Sequence, residues 1–173
     1  MTRAEIEAIA RLHRSAFGDD EGPEIADLCE ALLKLDETIS ISAECDGKIV
    51  GNVLYTPFVF REQPGTQCHL LAPLGVLPDH QRRGVGKELM DTSVRHLKSI
   101  GTQAVFVLGV PGYYPRHGFV PTDKQTPYPD LLTIPEAWMV LELEADAIAP
   151  LRGETVAVPP FMEARFWDTS GRG

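Results

Sequence analysis

The run Gln81-Arg82-Arg83-Gly84-Val85-Gly86, followed by Lys87, stands between an apolar stretch from Leu70 to Leu77 and a helix-like segment from Lys87 to Ile100. Strand, glycine turn and helix start, in that order, have a chemical meaning. The first backbone N–H groups of a helix have no intrahelical partner, and the helix dipole adds partial positive charge there. Such a turn therefore favours a bound anion, typically a phosphate. Arg82, Arg83 and Lys87 gather cationic charge at this point in a chain whose formal net charge is -9.

Two common phosphate loops do not fit. A nucleoside-triphosphate loop ending in Lys87 needs glycine where Gln81 stands and Ser or Thr where Glu88 stands, so its first turn and its magnesium ligand are both missing. A dinucleotide fingerprint starting at Gly84 and Gly86 needs a small residue at Leu89 and belongs on the first strand of a βαβ unit. What remains is the pattern Gln/Arg-x-x-Gly-x-Gly/Ala. Leu74-Gly75-Val76 and Pro78 precede it, and Tyr113-Tyr114-Pro115-Arg116-His117-Gly118-Phe119 follows. In these three segments, in this order and separation, the chain resembles the GNAT superfamily of acyl-CoA-dependent N-acetyltransferases. The likeness runs from about Glu5 to about Val120 and is weaker beyond.

The resemblance implies a mixed α/β fold. Its central sheet is mostly antiparallel, flanked by helices, and splayed between the family's fourth and fifth strands to admit the pantetheine of coenzyme A. Acetyl-CoA is the implied co-substrate. By position, Leu74, Gly75 and Val76 would meet the pantetheine amides, and Gln81, Arg82, Arg83, Gly84, Val85, Gly86 and Lys87 the pyrophosphate. Tyr114 falls on the tyrosine of the family's Tyr-x-x-x-Gly-Phe element, which implies a general acid for the leaving thiolate. Tyr113 beside it is a second phenol, Gly118-Phe119 reads as architecture, and Arg116 and His117 read as solvent-facing or packing residues. Pro73 and Gly75 suit an irregular strand on their own account, since proline lacks a donor and glycine weakens regular pairing.

The implied reaction is attack of an amine on a thioester within a ternary complex. A lysine-type amine with pKa about 10.4 is neutral roughly once in a few thousand molecules at pH 7, so deprotonation costs about 4 to 5 kcal/mol. Holding amine and thioester in attack geometry is worth about 7 to 11 kcal/mol, whereas one acid or base contributes ~10²- to 10⁴-fold. Positioning should dominate. Two departures from the family stand out. Leu70 and Leu71 occupy the stretch where many relatives carry a glutamate, leaving His69, or Glu24 or Glu44 through water, as candidate bases. Leu108-Gly109-Val110-Pro111 is shorter than the usual segment with a cofactor-binding asparagine. The alternative function is therefore an acyl-CoA-binding sensor or interaction module with little or no catalysis. The acceptor, whether small molecule or peptide amine, is not readable, and homodimers are common in the family.

The elements that must position these residues follow from periodicity. Ile6, Ile9, Ala10, Leu12, His13 and Phe17 recur at helical spacing until Gly18-Asp19-Asp20, and Pro23 opens a second helix with Ile25, Leu28, Cys29, Leu32 and Leu33 as its stripe. Ile39 to Glu44, the turn Asp46-Gly47, and Ile49 to Phe60 read as a hairpin, with a further strand from His69 to Leu77. The helix after the loop turns Leu89, Met90, Val94, Leu97 and Ile100 inward, ends at Gly101, and leads to the strand Ala104 to Leu108. Trp138 to Leu143 reads as a strand, and Val156 to Phe166 as a final strand interrupted by Pro159-Pro160. Trp138, Phe161, Phe166 and Trp167 read as packing. The tail Asp168 to Gly173 is expected to fray.

Composition bounds the rest. A chain of 173 residues with 43% hydrophobic content suits one domain spanning 1–173, with 121–173 its less clearly matched C-terminal part. A sequence pI near 5.0 argues against general affinity for nucleic acid or anionic membranes. Asp19, Asp20, Glu21 and Glu24 read as a solvated helix end. No apolar run approaches ~20 residues, and the N-terminus lacks the pattern of a signal peptide. Cys29, Cys45 and Cys68 are scattered without zinc-ligand spacing, so no metal site is expected and a reduced, cytoplasmic setting is the simplest expectation.

Overall fold

The computed structural model describes residues 1–171. The seven strands form one sheet in the order β1-β2-β3-β4-β6-β5, with β7 beside β2. They are β1 Ile39–Cys45, β2 Lys48–Phe60, β3 Cys68–Val76, β4 Ala104–Leu108, β5 Val120–Pro121, β6 Trp138–Glu142 and β7 Thr155–Ala157. The pair β3–β4 is parallel, whereas β1–β2, β2–β7, β4–β6 and β5–β6 are antiparallel. With helices α1 Arg3–Leu33 and α2 Val85–Ser99, this is the mixed, mostly antiparallel architecture expected. Residues group into two compact units, one of Met1–Tyr55 with Ala72–His96, the other of Thr56–Leu71 with the chain from Leu97 on.

The first unit is built on α1. Thr2 and Glu5 form a capping box at its start, each side chain accepting from the other's backbone N–H. At Gly18 the backbone leaves the helical region (φ 81, ψ -177), which makes the two helices foreseen. Pro23, however, lies inside the second half rather than opening it. The proline deletes only the bond to the carbonyl of Asp19, an exposed residue in the first turn after the break, so the helix tolerates it. Ile9, Leu12, Leu28, Leu32 and Leu33 are buried, as are Val50, Val53 and Leu54 of β2. The β1–β2 turn uses Asp46 (φ 51) and Gly47 (φ 76), both left-handed as a two-residue hairpin requires.

The second unit centres on aromatic rings. Phe106 of β4 lies 5.2 Å from Phe58, 5.6 Å from Phe60 and 5.4 Å from Trp138 between centroids, and Trp138 lies 5.6 Å from Trp167. Each indole N–H finds a carbonyl, Trp138 on Lys124 and Trp167 on Phe161. These residues pack as the sequence suggests.

Three expectations are corrected, and one short strand is added. Ile100 is 41% exposed, because α2 ends at Ser99 and Gly101 (φ 88) already turns the chain away. Val156 to Phe166 is not one strand. β7 is only three residues long, and Pro159 starts a 3-10 turn followed by another at Ala164–Phe166. Val120–Pro121 forms a short edge strand too brief to carry a periodic signal. The tail does not fray from Asp168. Thr169 is fully buried, and its hydroxyl accepts from the N–H groups of Thr133 and Ile134 and donates to the Leu131 carbonyl. Arg172 and Gly173 lie outside the described residues.

Candidate functional site

The loop between β3 and α2 belongs to the first unit. Arg82 (φ 62) and Gly84 (φ 85) both adopt left-handed backbone, which turns the chain sharply into α2. Glu88 N–H is bonded to the Gly84 carbonyl at 3.0 Å, so the amides of Val85, Gly86 and Lys87 precede the helical ladder. Three donors at a helix N-terminus with exposed Arg82 and Arg83 beside them fit a pyrophosphate. Lys87 is turned along the helix to Asp91 at 2.6 Å, an exposed ion pair that offsets part of its charge. Gln81 donates through Nε2 to the Val76 carbonyl at 3.1 Å, tying the loop to the end of β3.

Glycine sets the height of the helix over the sheet. A Cβ built at Gly51 would stand 2.7 Å from Val85 Cγ1 and 3.0 Å from Leu89 Cδ1, so β2 must carry glycine for the first turn of α2 to sit where it does. Leu77 N–H reaches the Val50 carbonyl at 2.9 Å and fixes the exit from β3. Leu74 and Val76 are half-buried and flank buried Gly75. The β3–β4 register covers Cys68–Leu70 against Ala104–Phe106, while β3 itself runs on to Val76.

A buried polar chain lies behind Gly75. His13 of α1 is fully buried, with Nε2 2.8 Å from Asn52 Oδ1. Asn52 Nδ2 in turn donates to Ser40 Oγ, Ser42 Oγ and the Ile41 carbonyl. The Ile41 carbonyl can only accept, so the asparagine orientation is fixed and His13 Nε2 must be the donor. Burial pushes the His13 pKa down to about 4, with the Asn52 bond opposing the shift, and the imidazole is neutral.

Tyr114 lies in the second unit and opens a 3-10 turn, Tyr114–His117, closed by left-handed Gly118 (φ 91). It is 8% exposed, edge-on to Tyr113 at 5.1 Å and to Phe119 at 5.5 Å. Tyr113 is half-buried, and burial raises its pKa while nearby Arg116 opposes the rise. Arg116 is exposed, and His117 packs 5.0 Å from the Tyr113 ring. Among the candidate bases, His69 is buried with Nδ1 3.1 Å from Thr102 Oγ1, which is the geometry of a structural histidine. Glu24 and Glu44 are exposed. Cys29 and Cys68 are buried thiols pushed up to about 12 and chemically quiet.

The sequence model of the acetyltransferase (GNAT) domain matches residues 1–122. The chain belongs to the GNAT acetyltransferase family. An uncharacterized N-acetyltransferase of Escherichia coli K12, YjhQ, is 40% identical over 152 residues, covering 83% of this chain and 82% of the relative. Two solved GNAT structures share the fold at 22% identity. The E. coli YhbS protein in complex with CoA has a TM-score of 0.75 and covers 94% of this chain and 89% of its own. A Brucella melitensis acetyltransferase in complex with acetyl-CoA has a TM-score of 0.72 and covers 93% and 94%. This GNAT chain is an acetyltransferase with acetyl-CoA as co-substrate. No helix among the described residues is long and apolar enough to cross a membrane.

Sequence reasoning missed His13, Asn52 and Gly51 as parts of the frame of the first unit. One signal was available for two of them: Gly51-Asn52 interrupts an otherwise apolar strand, which marks a close backbone approach or a buried polar partner.

Proposed function

We propose that this GNAT enzyme transfers the acetyl group of acetyl-CoA to a primary amine by direct attack in a ternary complex, working as one domain, 1–173, in a reduced, cytoplasmic setting. In that reading Leu74, Gly75 and Val76 meet the pantetheine. The amides of Val85, Gly86 and Lys87 hold the pyrophosphate, with Arg82 and Arg83 supplying charge and Gln81 bracing the loop. The single observation that carries the reading is the set of three pre-ladder amides at the α2 N-terminus, turned by left-handed Arg82 and Gly84, within the family-matched segment.

Tyr114 is assigned as general acid. As the amine nitrogen bonds to the carbonyl carbon and the C–S bond breaks, the phenol O–H donates its proton to the departing sulfur. The amine loses its own proton to water, since His69 is engaged by Thr102 and leucines stand at 70 and 71, and the Tyr114 phenolate takes a proton back from water. The net acidic charge favours cationic acceptors, small molecules or peptide amines.

Thermal unfolding with acetyl-CoA, coenzyme A, ATP-Mg and NAD in separate samples tests the cofactor assignment. A ligand at about 100 times its Kd stabilises by about 2.7 kcal/mol, or roughly 5 to 11 °C for a domain of this size. Only the two coenzyme A compounds should shift the midpoint, and a shift with ATP-Mg alone would overturn the reading. Free-thiol release with a panel of primary amines then separates an enzyme from a binding module.

A further inference from the structure

In the first unit, His13 of α1 meets β2 and β3 directly and β1 through Asn52. Its Nε2 is spent on Asn52, which is itself pinned to β1, and its Nδ1 is a lone pair with no hydrogen-bond partner among the described residues. The ring edge that carries Nδ1 occupies the place of a side chain at Gly75. A Cβ built there would stand 2.7 Å from Nδ1, 3.1 Å from Cε1 and 3.2 Å from Ala16 Cβ. Phe17 stacks on the ring from the next turn at 6.2 Å.

An unpartnered imidazole nitrogen in an apolar setting is destabilising, and an apolar side chain of similar size would avoid that cost. The ring is nevertheless held by a designed set of bonds through Asn52, and it fills the one position on β3 that has no side chain of its own. A role as proton acceptor for the amine does not fit, because Nδ1 is closed in by α1 and by Gly75. What the ring does is bear on the backbone of β3 between Leu74 and Val76.

We propose that His13, anchored by Asn52, is a positioning residue that sets the course of β3 at Gly75 and so aligns the backbone of Leu74 and Val76 with the amides of acetyl-CoA. This rests on the reading of Leu74–Val76 as the cofactor strand. Glycine at 75 has more backbone freedom than any other residue, and the wedge of the ring removes that freedom where hydrogen-bond donors and acceptors must be placed. Misplacement by about 1 Å can cost ~10²-fold in a reaction governed by alignment.

The test uses the full chain and four variants: His13→Ala, His13→Gln, Gly75→Ala and the double variant H13A/G75A. Acetyl-CoA affinity is measured by calorimetry well below each variant's unfolding midpoint, with the ligand-free midpoint recorded separately. His13→Ala and Gly75→Ala should each weaken binding by about tenfold or more. H13A/G75A should recover most of that loss, because the new methyl refills space the ring vacated. His13→Gln keeps a donor for Asn52 and should fall between wild type and His13→Ala.

If midpoints fall while acetyl-CoA affinity stays at the wild-type value, His13 is merely a core residue and the proposal is overturned. If His13→Ala does not fold, Gly75→Ala and His13→Gln still give the affinity readout. The cofactor-strand reading fails separately. Wild type that does not bind acetyl-CoA removes that reading and this proposal together, whereas wild-type affinity in the His13 and Gly75 variants alongside weakened binding by Gly84→Val removes the positioning role alone.

Discussion

The ring of Tyr114 occupies the space that a side chain at Gly109 would take: a Cβ built at 109 would come 2.8 Å from Tyr114 Cδ2 and closer still to Cε2. Gly109 is itself fixed, its N–H donating to the Ala137 carbonyl at 2.9 Å just ahead of β6. With Tyr113 and Phe119 edge-on at 5.1 and 5.5 Å, the phenol ring is held on three sides. Gly109 thus forms a seat for the tyrosine ring.

Tyr114→Phe keeps that seat filled and removes only the hydroxyl. If the phenol protonates the leaving sulfur, kcat should fall on the order of 10²-fold while the KM for acetyl-CoA stays within about threefold, the signature of an interaction made in the transition state. Steady-state kinetics with one reactive amine decide it, and an unchanged kcat would leave Tyr114 a packing residue.

Gly109→Ala acts on the same ring from the other side. The methyl cannot be accommodated unless the ring or the Gly109 backbone shifts, which costs about 1 to 3 kcal/mol as overpacking does. Urea unfolding should register that loss. If Tyr114 is the acid, kcat should fall about tenfold in the native state, and the G109A/Y114F double variant should be little slower than Tyr114→Phe alone, since two changes acting through one phenol are not additive.

The chain's local signals account for the loop and for both helices. Gly84 and Gly86 sit between periodic segments, and Gly18 and Gly101 are end markers that depend only on near neighbours. What was not legible depends on partners far along the chain. Thr169 is ordered by bonds to residues 131, 133 and 134, which no tail pattern announces. The partner of His13 lies 39 residues away, so its helical spacing reads as ordinary core. Ile100 follows the apolar stripe of α2, yet Gly101 turns the chain before that stripe can bury it.

His13 also makes stability depend on pH. Its folded pKa, about 4, lies below the unfolded value near 6.5, so the unfolded chain binds more protons between the two. The contribution is fully present above about pH 6.5 and is lost as pH falls through about 4. By pH 4.5 the loss should approach about 2 to 3 kcal/mol. Carboxylates titrate in the same range, so the informative quantity is a difference. Urea unfolding at pH 7.5 and 4.5 should show a smaller decrease for His13→Gln than for wild type, and equal decreases would show that His13 is not the titrating group.

Arg82 and Arg83 are exposed, and their contribution to binding a polyanion should be modest and screened. Arg82 carries a second burden, because its φ of 62 is left-handed backbone that glycine adopts without strain. Arg82→Gly should therefore stabilise the free loop while removing a charge, whereas Arg83→Gln removes a charge alone. Each should weaken coenzyme A binding about two- to fivefold at low salt, and the difference from wild type should shrink as salt approaches 0.5 M, where the Debye length falls to roughly 4 Å. The two variants should separate in the ligand-free midpoint, higher for Arg82→Gly than for Arg83→Gln. A loss of affinity that does not respond to salt would mean that these side chains act through loop geometry, leaving the amides of Val85, Gly86 and Lys87 as the principal anion donors.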